Sequence, residues 1–253
     1  MKTLSDKVAL ITGAGSGIGK AIAKTFAAED CSVVLTDIHQ LNLEAVAAEI
    51  GSAGGACAII AADVANHSDV SLVMEFTLKQ YGRLDILVNN AGIMDAFTPV
   101  DQVSDELWRK VMDVNLDAAF YTCRESIKYF LQNERPGNII NIASVGGLFG
   151  GRAGCAYTTS KHGLIGLTKN IGYQYAGKQI RCNAIAPGGV NTNIVYGMES
   201  NPFGQERMMA GAANMPAAAQ PGAIAEVALF LALDKSSFIN GAVLTADGGW
   251  TAY

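Results

Sequence analysis

No stretch of this chain stays apolar for the ~18 residues that a membrane-spanning helix needs. Its first residues, MKTLSDK, meet Asp6 and Lys7 before an apolar run can form. It reads as having neither a membrane span nor a secretory signal. Basic charge is also short: 18 Lys and Arg against 23 Asp and Glu leave a net charge of −5, which argues against nucleic acid as a partner. Cysteine offers no framework, because Cys31, Cys57, Cys123, Cys155 and Cys182 stand singly, odd in number and without a C-x-x-C pair. They read as reduced thiols of a cytoplasmic protein, not as disulfides or a zinc site. No His, Asp and Glu cluster has metal-ligand spacing, so no metal is expected. The six prolines and the lack of a Ser/Gly-rich linker mark no domain boundary across residues 1–253. What is abundant is apolar residue, half of the 253, enough for one large core.

Short β-branched runs at 8–12, 32–37, 56–63, 84–90, 138–143, 180–186 and 242–247 alternate with helical patterns near 17–29, 40–50, 67–81, 104–133, 157–177 and 222–233. The runs are almost continuously apolar, as in parallel strands covered on both faces. The expected fold class is α/β: one Rossmann-like, doubly wound parallel sheet of about seven strands with helices on both faces. Residues 188–222 break the alternation and are rich in Asn, Gly, Met and Ala. A loop that long suggests a functional lid.

The first strand runs into TGAGSGIG, Thr12 to Gly19. The octet fits neither G-x-G-x-x-G nor the lysine phosphate loop, yet it opens a helix, where backbone N–H groups and the helix dipole favour a phosphate. Asp37 ends the second strand, where a carboxylate can accept hydrogen bonds from an adenosine ribose. A tight strand–helix turn with a capping aspartate is the plainer alternative on these features alone. Tyr157 and Lys161 stand four apart at the start of a helix and so rise from one face. A nearby ammonium favours the phenolate, which would make the pair a general acid/base. Y-x-x-x-K alone fits an exposed helix pair equally well. Ser144 follows the fifth strand at the sheet edge where ligands bind. Asn115 interrupts an apolar helical run, and so either caps a break or does polar work inside.

With these residues in place, the chain resembles the short-chain dehydrogenase/reductase family along essentially its whole length. The glycine turn matches T-G-x-x-x-G-x-G, NNAG (89–92) follows the fourth strand, and Asn115, Ser144, Tyr157 and Lys161 have the spacing of the family's catalytic tetrad. PGGVNT (187–192) matches its nicotinamide segment. The resemblance implies that Tyr157 exchanges a proton with the substrate oxygen and Ser144 orients that oxygen. Lys161 would bind the nicotinamide ribose and depress the Tyr157 pKa, and Asn115 would hold a water. The dinucleotide would lie along Gly13, Gly15, Ser16, Gly17, Ile18 and Gly19, with Gly15 at a variable position. Asp63 and Val64 would flank adenine, and Asn90, Ala91 and Gly92 its ribose. Pro187, Gly188, Val190 and Thr192 would hold the carboxamide. Asp63 also reads as a helix N-cap. Asp37, with uncharged Ser16 and Ile38, implies NAD over NADP.

The family's substrate lining falls on Ser144, Tyr157, Met94, Gly146, Phe149, Gly188 and Met198, with the glycines at 146, 147, 150 and 151 leaving room for bulk. Apolar, methionine-rich walls suit a hydrophobic secondary alcohol or its ketone, although the same methionines could simply pack the lid. Three other functions stay open. They are a 3-ketoacyl-(acyl carrier protein) reductase, a sugar or polyol dehydrogenase, and an NAD(H)-binding sensor or scaffold. The family also implies a homotetramer, with 104–133, 157–177 and 246–253 as interface elements.

Overall fold

The computed structural model describes residues 2–195 and 197–252. Tyr196, within the expected lid, and Tyr253, the last residue of the expected interface ending, lie outside the described residues. Seven strands form one parallel sheet: β1 (Val8–Thr12), β2 (Ser32–Asp37), β3 (Cys57–Ala61), β4 (Ile86–Asn89), β5 (Gly137–Ile142), β6 (Ile180–Pro187) and β7 (Val243–Ala246). Their order is β3-β2-β1-β4-β5-β6-β7. The helices are α1 (Gly17–Ala28), α2 (Gln40–Ser52), α3 (His67–Tyr81), α4 (Asp105–Met112), α5 (Ala118–Gln132), α6 (Cys155–Gln174), α7 (Pro202–Ala210) and α8 (Pro221–Ala232).

The apolar runs become strands because both their faces are covered. Ala9, Ile11, Val33 and Leu35 point into one core with α1, α2 and α8. Leu10 and Val34 point into the other, with Val73 of α3, Cys123 and Phe130 of α5 and Ile171 of α6. Strand direction from β1 builds outward both ways, so the crevice between the C-terminal ends of β1 and β4 is the switch point at which such sheets bind ligands. TGAGSGIG follows β1, NNAG follows β4 and Ser144 follows β5, so all three reach that edge.

Two elements differ from expectation. The helix expected over 104–133 is divided by a π turn, Asp113–Asp117, in which Asn115 is buried; such turns commonly aim a side chain at a site. Residues 188–222, expected as irregular, contain α7, started by the Asn201 side chain accepting from Gly204 N and by Pro202 in the first turn. Among the described residues no helix is long and apolar enough to cross a membrane.

Candidate active site

The glycine turn is held by its neighbours. Gly13 and Gly17 have φ of +61° and +52°, conformations open to glycine. A Cβ on Gly19 would run into the Gly13 carbonyl. Asn90 Nδ2 donates to the carbonyls of Thr12 and Gly13, both at 3.0 Å. Thr12 Oγ1 in turn accepts from Asn90 N and Ala91 N. The Asn90 side chain thus braces the turn, a role the expected ribose contact did not include. Gly15 is not a spare glycine. Its N–H donates to Asp37 Oδ2 at 3.0 Å, and a Cβ there would sit 2.9 Å from that oxygen. Asp37 is half-buried, with Oδ1 accepting from His39 N, while Ser16 and Ile38 are exposed. Thr192 approaches the turn from the far side, its methyl 3.2 Å from where a Gly17 Cβ would be. Asp63 does not cap α3, whose N-cap is Asn66; its Oδ1 accepts from Ala65 N in a local turn beside buried Val64.

The chemical groups meet where α6 starts. Ser144 Oγ accepts from Gly146 N at 3.0 Å, and both that oxygen and the Tyr157 ring lie within 3.5 Å of a Cβ built on Gly146. Gly146 is therefore a spacer between serine and tyrosine. Gly147 packs on the Lys161 carbonyl, with 2.7 Å left for a Cβ. These two glycines serve packing, and do not provide the substrate room expected of them. Gly150 and Gly151 do stand open, with nothing within 4 Å, beside exposed Phe149. Gly188 is pressed against Asp247 of the turn after β7, while Met94 and Met198 are partly buried.

Lys161 is 3% exposed and donates to the Ile142 carbonyl at 2.8 Å, its nitrogen 5.7 Å from the Tyr157 ring centre. Burial disfavours its ammonium and brings the pKa down to about 8. Burial also pushes Tyr157 above the ordinary phenol value, against a hydrogen bond with Ser144 and reinforced by the carboxylate of Asp95. In the protein alone the shift of Tyr157 is therefore upward, set chiefly by burial. The Asn115 side chain is held by the segment after NNAG and by α6. Its Oδ1 accepts from Ile93 N at 2.8 Å, and its Nδ2 donates to Ile93 O and Ser160 Oγ. A Gly92 Cβ would lie 3.3 Å from Asn115 Oδ1 and 3.4 Å from Lys161 Nζ, so the π turn brings Asn115, and α6 brings Lys161, beside the NNAG segment.

Some supports were not foreseen. Asn89 Nδ2 donates to Asn141 Oδ1, Thr122 Oγ1 to Asn89 Oδ1, and Asn141 Nδ2 to Thr168 Oγ1. All are buried, and together they tie α5 and α6 to β4 and β5 beneath the site. The polar Asn89, ending β4, and Asn141, next to last in β5, are the signal in sequence. A cavity of about 440 Å³ lies under α7, bounded by Phe97, Gly150, Thr158, Phe203 and Arg207. Neither Ser144 nor Tyr157 lines it.

A parallel sheet with a glycine turn and a carboxylate, Asp37, at the strand ends around its switch point, beside a half-buried Ser144 and a buried Tyr157 and Lys161, defines a nicotinamide-dinucleotide-dependent oxidoreductase. The comparisons give the family. The model described as enoyl-(acyl carrier protein) reductase matches residues 13–251. The chain is 41% identical over 251 residues to 3beta-hydroxysteroid dehydrogenase 2 of Eggerthella lenta, covering 99% of this chain and 96% of that one. It is 38% identical over 248 residues to cyclohexanol dehydrogenase of Acinetobacter sp., covering 98% and 96%. A Beutenbergia cavernae protein described as an NAD(P)-dependent gluconate 5-dehydrogenase, solved with NADP at low occupancy, matches at a TM-score of 0.88 and 38% identity, covering 99% of both chains. The chain belongs to the short-chain dehydrogenase/reductase family, whose members bind NAD(P) and act as oxidoreductases on small molecules.

Proposed function

We propose that this protein is an NAD(H)-dependent dehydrogenase or reductase of hydrophobic secondary alcohols and their ketones, built as one domain over residues 1–253. The observation that carries the reading is the convergence of Ser144 Oγ and the Tyr157 ring on Gly146, next to a buried Lys161. The residues fit the dinucleotide. Gly13 and Gly17 hold the positive φ that a phosphate-binding turn uses. Asp37 keeps a half-exposed carboxylate at the end of β2, suited to two ribose hydroxyls and repelling a 2′-phosphate. The dinucleotide, when bound, supplies the hydride acceptor or donor. Gly13 to Gly19 would hold its pyrophosphate, with Val64 and Asp63 at adenine, Ala91 and Gly92 at the adjoining ribose, and Pro187 to Thr192 at the carboxamide.

The chain's own work is proton handling and orientation. Ser144 binds the substrate oxygen, and the Tyr157 hydroxyl gives it a proton in reduction or takes one in oxidation. Lys161 has one of its three donors on Ile142 O, and the others would serve the nicotinamide ribose. Because burial raises Tyr157, the proton-donor form dominates at neutral pH. Ketone reduction is therefore favoured at neutral pH and falls as pH rises through the Tyr157 pKa, while alcohol oxidation rises over the same range.

The printed activities of the relatives, on a hydroxysteroid and on cyclohexanol, support a bulky or cyclic apolar substrate. So do Val195, Phe203, Met209 and Met215 on the proposed lid, residues 188–222, each more than 40% exposed. Exposed Phe120 on α5 and Tyr173 on α6 support a homotetramer; gel filtration returning a monomer would remove that part. A cytoplasmic location completes the reading. The functional test is absorbance at the reduced-nicotinamide band. Cyclic, aliphatic and aryl secondary alcohols, polyols and ketoacyl thioesters are each assayed with NAD(H) and NADP(H). Turnover confined to polyols or thioesters, or no turnover of any of them, would replace this reading.

A further inference from the structure

Helix α6 carries Tyr157 and Lys161, yet its own N-cap residue, Gly154, has no side chain to cap it. The missing cap comes from the loop after β4. Asp95 Oδ2 accepts from Tyr157 N at 2.9 Å, and its Oδ1 accepts from Gly154 N at 3.1 Å and Phe97 N at 3.2 Å. Asp95 is fully buried and receives N–H donors only, which matches a carboxylate that accepts on both oxygens. The fit is tight: a Cβ on Gly154 would lie 2.5 Å from each carboxylate oxygen, so the bare N-cap and the distant acid are complementary. A negative charge at this place also suits the positive end of the α6 dipole.

The turn that presents Asp95 is itself constrained. Ala96 and Phe97 have φ of +55° and +56°, in the left-handed region that side chains avoid. Thr98 N and Thr98 Oγ1 both donate to the Asp95 carbonyl, and Cys155 N donates to Thr98 O. On its other side the turn seats α7: Asn201 N donates to Ala96 O, and Gly204 sits on the Phe97 carbonyl. A constrained turn that touches both the helix bearing the acid/base and the helix of the proposed lid has more than a local packing task.

We infer that Asp95 is a positioning residue for the reaction, capping α6 from across the fold so that the Tyr157 ring stands at Ser144 and the turn seating α7 is fixed to the same point. The inference rests on Tyr157 being the acid/base. The groups facing Tyr157 are Asp95 from this loop, Ser144 from the turn after β5 and Lys161 from α6 itself. Asp105, Glu106, Arg109 and Lys110 on α4, Asp113 and Asp117 in the π turn, Lys178 in the short turn after α6, and Arg181 and Cys182 on β6 belong to the other elements packed on α6. Among all of these, Ser144 and Asp95 act on the tyrosine, which is otherwise governed by burial.

The experiment compares wild type, Asp95→Asn, Gly154→Ala, the double variant and Tyr157→Phe, each shown folded by its melting curve. Asp95→Asn keeps the size but cannot accept on both sides. A kcat lower by about 10- to 100-fold is expected, with the affinity for NADH, read by fluorescence, within about twofold because Lys161 and the glycine turn are untouched. The alkaline rise of alcohol oxidation should also move to lower pH, since a negative charge beside Tyr157 is gone; a purely structural cap would leave it in place. Gly154→Ala should lower kcat similarly, and the double variant should be no worse than the poorer single one. Wild-type kcat and pH profile in folded Asp95→Asn, or fully additive losses in the double variant, would overturn the inference. Should Tyr157→Phe keep wild-type turnover, the acid/base reading itself falls, a result separable from a failure of Asp95 alone.

Discussion

The glycines after β1 and the Gly150–Gly151 pair contrast in how much freedom the fold leaves them. Around Gly13, Gly15 and Gly19 no side chain could be added without meeting a carbonyl, the Asn90 amide or the Asp37 carboxylate. Around Gly150 and Gly151 there is nothing within 4 Å, and the facing 188–222 segment exposes Phe203 and Met209 by more than half. In the proposed function the crowded turn would serve what is common to the reaction, a phosphate cradle and a ribose carboxylate in fixed register. The open one borders the region where substrate identity would be set, and it tolerates variation because little packs on it.

The largest effect should come from the group shared by both regions. Tyr157→Phe removes the proposed proton carrier and is expected to lower kcat by about 10²–10⁴, with NADH affinity retained in a fluorescence titration. Next is Gly19→Ala, which breaks the crowded side. Overpacking against Gly13 O and Asn90 should cost about 1–3 kcal/mol, lower Tm by several degrees and weaken dinucleotide binding. Lys161→Met should separate function from stability. The folded pKa of about 8 lies below the ordinary 10.5, so the unfolded chain binds the proton more readily. This group's contribution to stability is thus least favourable below pH 8 and improves as pH rises from 8 toward 10.5. Removing the charge is expected to abolish turnover yet raise Tm at pH 7 by a few degrees and flatten that pH dependence in calorimetry; the unpaired Ile142 carbonyl offsets part of the gain. The smallest effect belongs to the open side. Gly150→Ala should leave stability within about 0.5 kcal/mol while changing KM for bulky substrates more than for small ones.

Much of the contrast was legible in the sequence where a local pattern dictates structure. The seven apolar runs became strands, 67–81 became α3 with the expected bounds, and TGAGSGIG opened α1 at the switch point. What escaped was set by contacts between distant residues. Asp95 and Gly154 are 59 positions apart, and neither looks unusual alone; only the fold makes one the cap of the other. Gly15 looked dispensable until Asp37 folded over it, and Gly146 and Gly147 looked like room for substrate until α6 filled that room. The burial that raises Tyr157 is likewise invisible in sequence, where only its spacing to Lys161 can be read.

The proposed choice of NAD over NADP rests on the carboxylate that Gly15 and His39 hold at the end of β2. Steady-state kcat/KM for NAD and for NADP, measured side by side with one cyclic secondary alcohol, tests it most directly. NAD should be preferred by on the order of 100-fold, as expected when a 2′-phosphate must approach a carboxylate; comparable values for the two would contradict the account.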